Sequence, residues 1–434
     1  MKILNKKNRL LTIAIAGLVL HSASSQALTL EQVVSKALKE NPDFVTQTHQ
    51  QQISEESIAI SNSGFLPKLD LKAEAGYNKA PYTVSNKDQV PVTGSVTLTQ
   101  PIYSGLSTVY DVDRTEAELR QESLKTFSTA ERVALAITQA YLEVLRTKET
   151  VELSQLNLDT HLRLQKDIKD RFTNGVSNRS DWTQMEGRTA LSQSNLITAR
   201  NDFADAKANY EALTGFAIDE FEKPFLEASF MPEKRALALE VAAKEHPLLK
   251  AATETIDAAS AQYKVTKSPF MPKVDVVLKS QWNDSDVGNQ QVRTDGYSAK
   301  MVVEWNLFSG GADDANRKIA SSQLNVAKST RDNTHRQVMQ EVRLAWAAYD
   351  AASRQKEFNQ QHVTFSKETQ DLYEQQFKVN RRTLLDVLDI ENELFRARTA
   401  YIAADYAELS SKYRLLRSTG QMLKALKLTA YLEK

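Results

Sequence analysis

Charged side chains gather at two points where long helix-forming stretches turn back on themselves. One runs from Phe172 to Asp181, with Ser180 beside Asp181; the other runs from Phe377 through Arg382 and Asp386 to Asp389. Their first available chemistry is local. Asn178 and Thr383 are N-cap residue types, and Asp181 and Asp386 follow three residues later, where a carboxylate reaches back to the helix start. Asp389 lies one further turn along, on the same face as Asp386, and capping leaves it unexplained.

Catalytic chemistry has no foothold. The six histidines, His21, His49, His161, His246, His335 and His362, fall at no metal-ligand spacing. Neither a phosphate loop nor a nucleophile elbow occurs, so surface or interhelical histidines are expected, with no cofactor and no enzyme. The absence of cysteine excludes disulfides, thiol catalysis, cysteine-bound metal and a lipid-modified N-terminal cysteine.

The two charged turns belong to a chain written twice, at an offset of 205 residues. Pro42 matches Pro247, Phe65-Leu66-Pro67-Lys68 matches Phe270-Met271-Pro272-Lys273, and Ser104-Gly105 matches Ser309-Gly310. Phe172, Asp181, Glu186 and Thr214-Gly215 match Phe377, Asp386, Glu391 and Thr419-Gly420, without insertion. Two copies are too few for a solenoid, so the halves must stand side by side in one object. The expected organisation is a first repeat over 28–215, a polar linker over 216–235, a second repeat over 236–420 and a tail over 421–434.

Residues 1–27 read as a signal peptide. Lys2, Lys6, Lys7 and Arg9 precede an apolar run from Leu10 to Leu20, and Ser25-Gln26-Ala27 predicts a mature start at Leu28. Removing those four basic residues from the 55 present leaves 51 against 55 acidic ones, which argues against a nucleic-acid partner. No later segment is apolar and long enough for a transmembrane helix.

The placement of helix breakers predicts the elements. All ten prolines lie in 42–101 and 224–272, and neither glycine nor proline interrupts 106–174 or 312–419. Leu106–Phe172 as one helix is roughly 100 Å long. Ala134, Ile137, Tyr141 and Val144 form one apolar stripe, and Leu135, Leu142 and Leu145 a second, which suits a helix with partners on both sides. The return helix, about Asn178 to Leu213, is half as long. A helix over Leu30–Asn62, interrupted at Asn41-Pro42, supplies the other half of the wall.

Two alternating runs occur in each half. Leu69, Leu71, Ala73, Ala75 and Tyr77 face away from Lys68, Asp70, Lys72 and Glu74; Val96, Leu98 and Ile102 face away from Thr93, Ser95, Thr97 and Thr99. Val274, Val276, Leu278 and Trp282 form a third apolar edge, and Tyr297, Ala299, Met301, Val303, Trp305 and Leu307 a fourth. Each run is about 10 residues, enough for a tilted strand through a bilayer. A half-buried sheet on a soluble domain gives the same alternation.

These features together resemble the TolC outer-membrane channel family across Leu28 to about Leu426. The motifs are Phe65-Leu66-Pro67-Lys68-Leu69 with its copy Phe270-Met271-Pro272-Lys273-Val274, then Leu307-Phe308-Ser309-Gly310-Gly311, and the turn Arg382 to Asp389. The resemblance implies a mainly α protein with membrane β structure. Three chains of four strands would make a trimeric 12-stranded outer-membrane β-barrel, continued by a long α-helical coiled-coil barrel across the periplasm of a Gram-negative cell.

The implied function is an exit duct beneath outer-membrane lipid. A periplasmic adaptor and an inner-membrane ABC or RND-type pump would deliver an exported protein or small molecule. Type I protein secretion is favoured over drug efflux because many efflux-dedicated relatives are lipoproteins. A soluble periplasmic or surface coiled-coil scaffold or adhesin is the reading from another class. The resemblance also places Arg382, Asp386 and Asp389 at the periplasmic entrance, with Ser180 and Asp181 in the first-half turn. Phe377 departs from the family's tyrosine, which would hydrogen-bond the opposing turn.

Overall fold

The computed structural model describes residues 28–77, 90–218, 220–287, 290–379 and 381–429. The expected signal peptide, residues 1–27, lies outside them. Helices α1 (Leu30–Glu40) and α2 (Pro42–Ser63) lead to strands β1 (Lys68–Ala75) and β2 (Val92–Tyr103). Helix α3 (Ser107–Thr173) descends and α4 (Arg179–Thr214) returns. The second half repeats the series as α5 (Arg235–Glu245), α6 (Pro247–Val265), β3 (Lys273–Val287), β4 (Gln290–Glu304), α7 (Ala312–Lys378) and α8 (Leu384–Ser418). A short α9 (Met422–Ala425) follows.

Local chemistry sets these boundaries. Asn41 ends α1 and starts α2, its side-chain oxygen accepting the N–H groups of Asp43 and Phe44. Pro42 then occupies a position whose missing N–H costs nothing. Helices α3 and α7 each run 67 residues, from a left-handed pair of residues at the top to an Asn or Val cap at the base. β4 stops at Glu304, short of the Trp305 and Leu307 that its sequence pattern includes. Its partner β3 begins at Lys273, directly after Pro272, which has no N–H to extend the ladder.

The four strands form one antiparallel sheet in the order β1-β2-β3-β4. Below it the helices stand side by side as a wall. Near the sheet the order is α2, α3, α6, α7; toward the turns it is α4, α3, α8, α7. Helix α3 is therefore interior, while α7 stands at one margin and α2 with α4 at the other.

The main core lies at mid-height. Ala134, Ile137, Tyr141, Val144, Leu142 and Leu145 of α3 are all buried there, so both expected stripes are used. They meet Val33, Val34 and Ala37 of α1, Tyr210 of α4 and Tyr413 of α8. Residues 216–235 are more than a polar link. The Phe221 ring packs 5.1 Å from Tyr141 and 5.3 Å from Tyr210, and the Tyr141 hydroxyl accepts from Glu222 N–H at 2.8 Å. Met422, Leu423 and Leu426 also enter this core, so residues after 420 complete the packing of the first half.

Candidate functional site: the turns and the sheet

At the first turn the Asn178 side chain accepts from Asp181 N–H at 2.8 Å, and Asp181 accepts from the Ser177 hydroxyl at 2.9 Å. Ser180 is exposed. At the second turn Thr383 and Asp386 form a reciprocal capping box. The Asp386 carboxylate accepts from Thr383 N–H at 3.0 Å and from its hydroxyl at 2.8 Å. Those bonds, chiefly the hydroxyl's, hold its pKa below the ordinary carboxylate value.

Arg382 stays within its own hairpin. Its Nε donates to Gln376 at 3.0 Å, its guanidinium lies 4.1 Å from the Tyr373 ring centroid, and Asp386 is 3.8 Å away. Among the described residues it bonds neither Ser180 nor Asp181. The link between the two hairpins is instead Arg188 of α4, whose Nη2 donates to Asp389 at 3.0 Å. Residues 201 positions apart carry no periodic signal, so this partner of Asp389 was not legible from spacing.

Phe377 is a packing residue in this chain. It covers the cluster of Leu164, Ile168, Met185, Leu384 and Leu388, alongside Trp182. The Arg171 guanidinium sits 4.7 Å from its centroid, a cation–π contact from the first hairpin to the second. Among the described residues the two hairpins are thus joined by the Arg188–Asp389 ion pair, the Arg171–Phe377 contact and this shared apolar cluster. No group of three or more potential metal ligands occurs among the described residues.

The sheet register separates two faces. Leu71, Val96, Ser280 and Tyr297 stand in one row, and Lys72, Ser95, Gln281 and Gly296 in the next. Because side chains alternate, Leu69, Leu71, Leu98, Val276, Leu278, Met301 and Val303 share one face, and Lys72, Thr97, Lys279 and Lys300 the other. The apolar face is uncovered: Leu71 is 72% and Met301 70% exposed. From Val274 to Trp282 the strand rises about 26 Å, close to the apolar band of an outer-membrane barrel.

Aromatic residues mark both limits of that band. The Trp282 indole packs against Gly94, where a Cβ would lie 2.0 Å from the ring. At the opposite limit Trp305 donates from its indole N–H to the Phe270 carbonyl at 3.3 Å; Phe308, just after it, and Phe65, just before β1, are both exposed. No helix among the described residues is long and apolar enough to cross a membrane.

A sheet with one lipid-type face, continued by a wall of long antiparallel helices, defines an outer-membrane channel protein. The family model for outer membrane efflux proteins matches residues 33–216 and 238–421, and the chain belongs to that family. Its members are channel components of the outer membrane, not enzymes, and the soluble scaffold or adhesin reading gives way.

Several relatives span nearly the whole chain. Outer membrane efflux protein BepC of Brucella suis is 24% identical, covering 94% of this chain and 89% of that one. Outer membrane protein TolC of Vibrio cholerae is 24% identical, covering 92% of each. Alkaline protease secretion protein AprF of Pseudomonas aeruginosa is 22% identical, covering 92% and 86%. Among solved structures, CusC superposes with a TM-score of 0.78 at 15% identity, covering 90% of this chain and 92% of that one. The Campylobacter jejuni CmeC outer membrane channel gives 0.75 at 15% identity, covering 97% and 94%.

Proposed function

We propose that three copies of this chain close a 12-stranded barrel and a helical tunnel, forming the exit duct of a tripartite export system. One observation carries this reading. The four-stranded sheet has an apolar face, and its outer strands, β1 and β4, have no further strand partner among the described residues. Open ladder edges do not persist in hydrocarbon, so closure with other copies is required. A periplasmic adaptor and an inner-membrane ABC or RND-type pump deliver the cargo, and the duct conducts it passively.

Type I protein secretion is the favoured task, supported by the likeness to the protease secretion protein AprF. Small-molecule efflux is the second reading, supported by the likeness to the efflux protein BepC. Cross-linking the duct in intact cells and identifying the attached pump separates them. An ABC transporter with a secreted protein substrate supports secretion; an RND pump overturns it.

The turns form the periplasmic gate in this proposal. Asp386 and Asp389 from three copies surround the axis, flanked by Ser180, Asp181, Arg382 and Phe377. Crowded carboxylates attract cations, so multivalent cations block the entrance. In planar bilayers Asp386→Ala with Asp389→Ala relieves that block while conduction persists. Arg188→Ser raises resting conductance, since it removes the charge-assisted bond between hairpins. Wild-type block in the double alanine variant assigns the carboxylates to helix capping and overturns the gate.

A further inference from the structure

The face of the sheet opposite the apolar one carries more positive charge than it pairs. In β1, Lys68 meets Asp70 at 3.3 Å and Lys72 is bonded to Glu74, so this strand sums to zero. Strand β2 turns Thr93, Ser95, Thr97 and Thr99 to the same face. Between β3 and β4, Lys273 stands directly opposite Glu304. That leaves Lys279 and Lys300 with the one carboxylate of Asp275, and neither lysine forms an ion pair among the described residues.

Duplication does not dictate these charges. At the 205-residue offset Lys279 corresponds to Glu74 and Lys300 to Ser95. Nearer the helices the two halves agree, Lys68 with Lys273 and Asp70 with Asp275. The strand that cancels its own charge in the first half therefore carries an unmatched cation in the second.

The register gathers these lysines with two hydroxyls. Thr97, Lys279 and Ser298 stand in one row, and Lys300 lies on the diagonal from Lys279, roughly 7 Å away. Among the described residues none of these four side chains has a hydrogen-bond or ion-pair partner. Lys300 is exposed and Lys279 half-buried. Asp275 is four residues along the strand from Lys279, about 13 Å away. Two ammonium groups and two hydroxyls thus share one spot, a donor set that suits a phosphate or a cluster of carboxylates.

We infer that Thr97, Lys279, Ser298 and Lys300 of each copy form an oxyanion site on the inner wall of the barrel, which holds phosphate-bearing or strongly acidic cargo near the exit of the duct. The site rests on the three-copy closure proposed above, which makes this face the lumen. Three such sites form a basic belt, opposite in sign to the carboxylates at the entrance. Closure sets β1 of the next copy beside β4, and the two ion pairs within that strand add no net charge. Enclosure by low-dielectric walls focuses the field of the belt on the passing anion.

Calorimetric titration of the full chain in nonionic detergent at low salt tests the site, with inorganic tripolyphosphate as the probe. Wild type should bind it, and K279Q/K300Q should weaken binding by about tenfold or more, the scale of enrichment a charged cleft provides. K279R/K300R keeps the charge and should retain binding. K72Q/E74Q removes an ion pair without changing net charge and should bind as wild type does. Mass in detergent is measured for each variant. A monomer overturns the closure, and the belt with it. A wild-type trimer that does not bind, or a K279Q/K300Q trimer that binds undiminished, overturns the site and leaves the closure standing. Equal weakening in K72Q/E74Q overturns the assignment to the two unpaired lysines. In planar bilayers, tripolyphosphate added on the extracellular side should reduce the wild-type current and spare that of K279Q/K300Q. Block of both alike places the anion elsewhere and overturns the site.

Discussion

Leu106 holds φ at 65°, in the left-handed region that costs an ordinary residue about 1–2 kcal/mol. Its twin in the second half is Gly311, with φ 86°, and both sit at the sharp change from strand to long helix. Leu106→Gly is therefore expected to stabilise the assembly by up to about 1 kcal/mol, since glycine's own entropy cost offsets part of the relief. The neighbouring Gly105 also has φ 65°, and a Cβ there would lie 2.7 Å from the Ser268 carbonyl oxygen. Gly105→Ala should cost more than about 1 kcal/mol. Thermal dissociation of the purified protein reads both changes, and a destabilised Leu106→Gly variant would show that the leucine side chain outweighs its backbone.

At the scale of elements, the joint between α8 and α9 is built around two buried ionisable groups. Glu131 of α3 accepts from Met422 N–H at 3.1 Å, and burial pushes its pKa from 4.5 to about 8. The folded chain thus keeps a proton that the unfolded chain releases near 4.5. Stability from this group is full below about 4.5 and drains away as pH rises to about 8, on the order of a few kcal/mol in all. His246 acts in the opposite window. Burial lowers its pKa from 6.5 to about 4, so its contribution is present above 6.5 and lost as pH falls. Between pH 6.5 and 8.5, Glu131 dominates the balance. Glu131→Gln keeps an acceptor for α9 without an ionisation, so it should melt higher than wild type at pH 8.5 and close to it at pH 5. An equal difference at both values would remove ionisation as the cause.

The elements themselves were legible because breakers were absent from long stretches and alternation marked the strands. The Asn41-Pro42 break and the capping residues Asn178 and Thr383 fall where their side-chain chemistry requires. What escaped was irregular or distant. Phe221 and Phe216 sit in a short stretch with no period, so their place among Tyr141 and Tyr210 could not be read. Arg188 is one arginine among many until the fold brings it to Asp389. Phe377 was recognisable as a departure from the family, but its contact with Arg171 depends on how two hairpins are stacked.

For the whole molecule, the two sheet faces make opposed demands. Leu71→Arg and Val276→Arg put charge on the uncovered apolar face, and a cation there costs roughly 2–4 kcal/mol at the bilayer midplane. Both should reduce the yield of assembled trimer in the outer-membrane fraction. Lys72→Glu and Lys279→Glu lie on the opposite face and should leave that yield unchanged. Loss from the glutamate set alone would mean that the faces are exchanged, and equal loss from both sets would mean that the sheet does not separate lipid from lumen in this way.

The matched 67-residue lengths of α3 and α7 also act as a ruler. Each spans the full height of the wall, while each shorter pair must sum to that height end to end. A deletion in one long helix alone would tilt its turn out of the ring formed with the others. Only matched changes in both halves keep the turns level, and steps of seven residues also keep every seam facing its partner. The reach of the duct is consequently quantised at about 10 Å per heptad, and duplication ties the two halves to the same measure.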